Sequence, residues 1–438
     1  MKITCITALI ALLGLTELSA YPIDGYHRTG IRRLLRLELM LKGEIDGGHK
    51  LLPGSLRKME DIDLLLCGRP EKEELADVPE PDPALQEKIS ALFPYLNESY
   101  SLAVLDLTAG ETPAYAERQP DRGFQPGSVG KLAVLTGFFV ELAKIYPDSL
   151  YPADAFEKRR LLMKNKYVEG GPFALYDSHT VPFFDTITHN FFKRTVRADD
   201  VFSLYEWIDH MVSVSNNGAA SIVWREAMLM RTYGDKYPEL TKEEAAAFFK
   251  NTPRDSLARV ANRIVNGPLR KLGIAHDEWR LGSMFTRGAS SIVPPSGGSI
   301  GTPKGLMKWL LALERGDIVD YESSLEMKRM IYMTDRRIRY ARSEVLDSAY
   351  VCFKSGSLYS FLPGTPRVKY KGTRYNYMNS VAIIEHDDGT SYLVALETNV
   401  LRRNSAYDHY MLASKIDGIV RERRNKKAIV KELKGEVD

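Results

Sequence analysis

Apolar and polar residues alternate with a strand's period at two distant places in this chain, and follow a helix's period through most of what lies between. Tyr100 to Leu107 alternates as a strand, Ala109-Gly110-Glu111-Thr112 forms its turn, and a second strand is predicted near Ala114 to Arg118. Far downstream, Tyr350 to Ser357, Tyr377 to Glu385 and Tyr392 to Thr398 alternate or are rich in β-formers. Asp387-Asp388-Gly389 supplies a hairpin turn between the last two. Ala84 to Leu96 and Ala406 to Arg424 read as helices. Between Ser128 and Ile145, Leu132, Val134, Leu135, Phe138, Phe139 and Leu142 cover most sides of a helix, which predicts that it is buried. Residues 150 to 345 are dominated by helical patterns, broken by the loop Val293 to Gly298, with Thr302-Pro303 as a helix start. Two early strands, three late ones and a helical middle predict an α+β fold, an α/β sandwich. Its five-stranded antiparallel sheet is flanked by helices and interrupted by an inserted all-helical lobe over about 125–345. An active site belongs in the cleft between sheet and lobe.

The ends of the chain carry different signals. Met1-Lys2, an apolar run from Ile3 to Leu15 and the small residues Ser19-Ala20 form a secretory signal pattern, with cleavage expected after Ala20. The run is shorter than the roughly 20 residues of a membrane-spanning helix, and nothing later reaches that length without charges, so no transmembrane anchor is expected after cleavage. The chain is therefore expected in the periplasm or outside the cell. Residues 21–83 form an N-terminal extension and linker. Within it, Ile31-Arg32-Arg33-Leu34-Leu35-Arg36-Leu37 suits a helix packed on something larger, and the proline-rich, acidic stretch 69–83 suits an extended connector. The catalytic unit spans 84–425, and 426–438 is a charged tail. Cleavage would leave Cys67 and Cys352, a pair that an exported protein could oxidise.

Charge narrows the partners. Lys and Arg total 60 against 57 Asp and Glu, a formal charge of +3, too balanced for the phosphate-neutralising surface of a nucleic-acid binder. The eight histidines contain no His-Glu-x-x-His or similarly close pair, so neither a metal nor another cofactor is expected. Arg336-Arg337-Ile338-Arg339-Tyr340 reads as a solvated helix face.

Candidate chemistry starts with Ser128-Val129-Gly130-Lys131, opening the buried helix. Three-residue spacing puts the Ser128 hydroxyl and the Lys131 amine on one face, among the unpaired N–H groups of a helix start. Ser-x-x-Lys is a loose pattern, met again at Ser55-Leu56-Arg57-Lys58. Two rival motifs fail here: Pro126 stands where Gly-x-Ser-x-Gly needs glycine, and Gln125 and Leu132 exclude a phosphate-binding loop. Two further elements follow in order, Ser215-Asn216-Asn217 between apolar helical stretches and Lys354-Ser355-Gly356-Ser357 on a strand.

On this ordered triple the chain resembles the penicillin-recognising serine enzymes, most closely the class A β-lactamase-like serine hydrolases. The likeness spans roughly residues 84 to 425 and includes Gly218-Ala219-Ala220 and Gly301-Thr302-Pro303. It implies the β-lactamase/transpeptidase-like fold and a set of roles. Ser128 would attack an activated amide and become an acyl-enzyme, and Lys131 would take its proton. That requires a neutral amine, so a pKa near 10.4 must fall about three units, or roughly 4 kcal/mol, through burial and the charge of Lys354. Ser215 would pass a proton to the leaving nitrogen, and Asn217 would bind the substrate's side-chain amide. Lys354 and Ser355 would hold its carboxylate, Gly356 would allow close approach, and the N–H groups of Ser128 and Ser357 would form the oxyanion hole.

The sequence departs from that pattern where class A enzymes carry the Glu-x-x-Leu-Asn motif that activates the deacylating water. Glu226, Glu243, Glu244 and Glu278 lie in the interval without its context. Asn216 replaces the usual aspartate, Ser355 the commoner threonine, and insertions around 150–195 and 230–260 lengthen the lobe. Three readings stay open at this point. The first is an exported serine hydrolase acting on β-lactams or related peptide-like amides. The second is a D-Ala-D-Ala peptidase or esterase on the same scaffold, working on a peptidoglycan-like substrate, and the third a catalytically weak envelope-binding protein. Oligomeric state is left open as well.

Overall fold

The computed structural model describes residues 22–46, 51–147, 152–332 and 337–434. The predicted signal segment 1–20 lies outside them, as do the last four residues of the predicted tail.

Five strands make one antiparallel sheet: β1 (Ser101–Asp106), β2 (Ala114–Arg118), β3 (Tyr350–Ser360), β4 (Tyr375–Glu385) and β5 (Ser391–Asn399), in the order β2-β1-β5-β4-β3. β1 pairs with β5 with Ala103 opposite Ala395, so the early and late parts of the chain close one sheet around the insertion. The two-residue period sorts the side chains. Ala103, Leu105, Val381, Ile383, Leu393 and Ala395 enter the larger core beneath the lobe. Leu102, Val104, Ala382, Ile384, Val394 and Leu396 enter a second core on the opposite face. That second core is closed by the helix Pro83–Ser90, capped by the Asp82 carboxylate on the Leu85 N–H, and by the helix Ala406–Lys434, which runs on past the predicted end at Arg424.

The helix Lys131–Ile145 lies between the sheet and the lobe and is buried on nearly all sides, as its apolar pattern requires. All four tryptophans, Trp207, Trp224, Trp279 and Trp309, are buried in the same core. The lobe is not all-helical. Thr180–Phe184 pairs with Phe191–Thr195 and Tyr167–Glu169 with Val201–Ser203, both antiparallel. Segments of three to five residues are too short to register against the long helical periodicities around them.

The N-terminal extension is part of the lobe's packing. Ile31, Leu34 and Leu37 enter the main core from the helix Arg32–Leu41. Its basic residues meet buried carboxylates: Arg28 with Glu326 at 3.1 Å, Arg32 with Glu206 at 2.7 Å and Arg33 with Asp209 at 2.6 Å. The stretch 69–83 is more than a connector, because Glu71–Glu74 forms a helical turn and Leu75 is buried. Lys328, fully buried, pairs with Glu314 at 2.9 Å and donates to the Asp63 carbonyl at 2.6 Å, while the Leu65 N–H donates to Glu314 at 2.7 Å. The two cysteines are free rather than bridged. The Cys67 thiol faces the Arg315 carbonyl and the Cys352 thiol the Lys328 carbonyl. Nor is the arginine run a solvated helix face. Arg337 donates to the carbonyls of Gly54, Leu346 and Ala349, and Arg339 is buried beside β3, whereas Arg336 lies outside the described residues. Among the described residues no helix is long and apolar enough to cross a membrane.

Two stability predictions follow from these burials. Arg33→Ala leaves Asp209 charged in the interior and should lower unfolding free energy by about 3 kcal/mol in urea titrations. Glu397, on β5, is fully buried, and neither carboxyl oxygen has a hydrogen-bond partner among the described residues. Burial pushes its pKa from 4.5 up to about 8. The folded state holds that proton more tightly than the unfolded chain, so this group's contribution falls as pH rises from 4.5 through about 8. Glu397→Gln should therefore leave stability near pH 4 unchanged and raise it by a few kcal/mol, at most about 5, at pH 9.

Candidate active site

Ser128 sits in a tight turn, Gly127–Gly130, that runs directly into the helix Lys131–Ile145. Its hydroxyl does not cap that helix, and instead lies 3.1 Å from the Lys131 amine. Ser215 arrives from the loop between the helices Leu204–Val212 and Asn217–Tyr233, with a left-handed backbone (φ 63°), a strained state for serine of the kind that gathers at functional sites. Lys354 comes from β3, and its amine donates to the Ser215 hydroxyl at 2.9 Å. Three segments far apart in sequence thus meet through hydrogen bonds. Ser355 and Ser357 line the same narrow cavity as Ser128, Ser215 and Lys354, a space of about 70 Å³.

The surroundings of Lys131 count out its protons. The amine lies 2.5 Å from the Ser215 carbonyl and 2.8 Å from Asn217 Oδ1, both of which can only accept. The Ser128 and Ser215 hydroxyls, at 3.1 and 3.3 Å, can donate. A neutral amine has two N–H bonds and one lone pair, so with the N–H bonds spent on the two carbonyl oxygens the lone pair is left for a hydroxyl hydrogen. Burial pushes the Lys131 pKa down to about 7, against an opposing pull from the Asp177 carboxylate. Lys354 is depressed as well, first by burial and then by repulsion from Lys131 and Arg339. The predicted fall in the Lys131 pKa is present with burial as its cause, and the repulsion between the two amines falls on Lys354.

The strand β3 and the turn that carries Ser128 are packed backbone to backbone. A Cβ on Gly356 would stand 2.1 Å from the Pro126 carbonyl oxygen and 3.2 Å from the Ser128 nitrogen. One on Gly127, whose φ is +53°, would stand 2.8 Å from the Ser357 nitrogen. Glycine at both places lets the Ser128 and Ser357 N–H groups share one seam, the arrangement needed to hold an oxyanion. Asn379 secures the turn from β4, its amide donating to the Gln125 carbonyl at 2.9 Å.

Three residues at the site were missed by sequence reasoning. Arg339, buried with a left-handed backbone, donates to the Gly356 carbonyl at 2.7 Å and lines the cavity. Neither it nor Lys354 has a carboxylate partner among the described residues, so two basic side chains face the cavity without a counter-ion. Asp177 accepts from the Asn217 N–H at 2.6 Å and from the Asn217 amide at 3.2 Å. Asn217 is therefore engaged at both ends, by Lys131 and Asp177, and its side chain supports the lysine. His179 lines the cavity, and its Nδ1 lies 2.7 Å from Asp177. Their segment is part of the insertion, and no spacing in the sequence links it to the motifs.

The four candidate glutamates stand elsewhere. Glu226 accepts from Tyr237 and Arg225, Glu244 from the Thr241 N–H, and Glu278 pairs with Lys308, while Glu243 is exposed. Among the described residues no cluster of three or more His, Cys, Asp or Glu is placed to hold a metal. A larger cavity of about 560 Å³ lies within the lobe around Phe173 and Phe249. Lys242 pairs there with Glu169 and Arg225 with Glu226, and the Lys166 amine donates to the Pro238 and Leu240 carbonyls.

No family model and no curated relative matches this sequence. Solved structures do. The TLA-3 extended-spectrum β-lactamase is 14% identical over 77% of this chain and 98% of its own, with a TM-score of 0.50. A class A β-lactamase from Bacteroides cellulosilyticus DSM 14838 is 14% identical over 79% and 100%, with a TM-score of 0.49. A point mutant of PBP-A, as an acyl-enzyme complex with penicillin G, is 13% identical over 80% and 100%, with a TM-score of 0.47. The chain has the serine β-lactamase and penicillin-binding-protein fold.

The glycine seam is directly testable. Gly356→Ala must push β3 away from the turn, so reaction of Ser128 with a fluorophosphonate probe should slow by about 100-fold while the circular dichroism spectrum is unchanged.

Proposed function

We propose that the protein is an exported serine hydrolase that forms an acyl-enzyme on Ser128 with β-lactams or related peptide-like amides. The observation that carries this reading is the contact of one buried amine with two hydroxyls, Ser128 and Ser215, while two acceptor-only oxygens occupy its N–H bonds. Export rests on the Met1–Ala20 pattern alone.

The steps follow from the contacts. The Lys131 lone pair takes the Ser128 hydroxyl proton as Oγ attacks the amide carbonyl carbon, and the oxygen gains a negative charge between the Ser128 and Ser357 N–H groups. When the C–N bond breaks, the leaving nitrogen takes the Ser215 hydroxyl proton, which the Lys131 ammonium replaces at 3.3 Å. Lys131 is then neutral again and Ser128 is an ester. Lys354 and Arg339, lacking carboxylates of their own, give the cavity an anionic preference that suits the carboxylate shared by penicillins and D-Ala-D-Ala peptides.

A D-Ala-D-Ala peptidase is the second reading, favoured by the placement of Glu226, Glu243, Glu244 and Glu278 away from Ser128. The two readings part on release of D-alanine from a muropeptide against hydrolysis of a chromogenic cephalosporin.

A fluorescent penicillin should label the wild type and not Ser128→Ala. The labelling rate should rise with pH through about 7, because Lys131 accepts the serine proton only after losing its own. A rate independent of pH from 5 to 9 would count against Lys131 as the base.

A further inference from the structure

We infer that His179, oriented by Asp177, is the general base that activates the water for hydrolysis of the Ser128 ester; the inference rests on the acyl-enzyme reading above. His179 lines the cavity that holds Ser128, Ser215 and Lys354, and its side chain is 37% exposed, so water reaches it.

Its orientation is fixed at three points. The His179 N–H donates to Asp177 Oδ1 at 3.2 Å, ring Nδ1 meets the same oxygen at 2.7 Å, and the His179 carbonyl accepts from the Asn216 amide at 3.0 Å. Burial alone would raise the Asp177 pKa. The hydrogen bonds from His179 and from the Asn217 N–H oppose it, and the carboxyl lies below its ordinary value. With Asp177 accepting from Nδ1–H, Nε2 is the ring nitrogen that carries the lone pair when the imidazole is neutral. Nε2 has no hydrogen-bond partner among the described residues.

Asn216 belongs to the same device. Its Oδ1 caps the following helix through the Ala219 N–H at 2.7 Å, while its amide holds the His179 carbonyl. An aspartate could cap but could not donate, so the unusual residue in the Ser-x-Asn element is the one that ties His179 to the site.

In the proposed step Nε2 takes a proton from water as the oxygen attacks the ester carbonyl carbon. The tetrahedral species collapses by breaking the carbon–Oγ bond, Ser128 Oγ recovers that proton from the imidazolium, and the carboxylic acid loses its own to solvent. Lys131 and Ser215 need take no net charge.

The test follows the penicilloyl adduct on intact protein by mass spectrometry after benzylpenicillin is removed. His179→Gln should acylate within about threefold of wild type and lose the adduct at least 100-fold more slowly. In His179→Gly, added imidazole should shorten the adduct's life. Equal lifetimes in wild type and variant, a wild-type adduct that persists for days, or a folded His179→Gln that no longer acylates would each overturn the inference while leaving Ser128 as nucleophile. No adduct on either the wild type or a folded His179→Gln would remove the acyl-enzyme reading and this inference with it.

Discussion

Keeping the amine of Lys131 uncharged is the demand around which this molecule is organised. Bringing a lysine from its ordinary pKa of 10.5 to about 7 disfavours the ammonium by about 5 kcal/mol. A water-free surrounding does that, and the molecule provides it by sinking the first turn of Lys131–Ile145 between sheet and lobe, where Lys131 has no exposed surface. The partners are equally selective. Acceptor oxygens from Ser215 and Asn217 hold the amine without a direct carboxylate contact, and Asp177 acts through Asn217.

From that demand the surrounding architecture gains its purpose. β3 must reach the Ser128 turn closely enough to bring Lys354 to Ser215 and the Ser357 N–H to Ser128, and Gly356 and Gly127 remove the atoms that would prevent it. The lobe must hold Ser215 in a strained backbone state, and the extension braces the lobe by pairing Arg32 and Arg33 with Glu206 and Asp209 on the helix leading to Ser215. Residues remote from the cavity thereby set the geometry within it. The insertion that lengthens the lobe also delivers Asp177 and His179 to the cavity.

What was legible in the sequence was what repeats with a period or recurs as a motif. Alternation in Tyr100–Leu107 and in the three late strands revealed the sheet, and the all-round apolar character of Leu132–Leu142 revealed the buried helix. Ser128, Lys131, Ser215 and Lys354 were visible because motif order constrains their meeting. The short strands at 167–203 were hidden because a few residues define no period, and Arg339 because a run of arginines looks the same whether solvated or folded inward. Asp177 and His179 precede the second motif and join it only through hydrogen bonds to Asn216 and Asn217, a tertiary relation that leaves no mark in the spacing.

The most direct measurement is the ionisation of Lys131 itself, followed by carbon NMR of protein labelled at lysine Cε and assigned with Lys131→Arg. The account predicts a resonance titrating near pH 7 in the unliganded protein. A Lys131 signal that stays that of an ammonium up to pH 10 would contradict it.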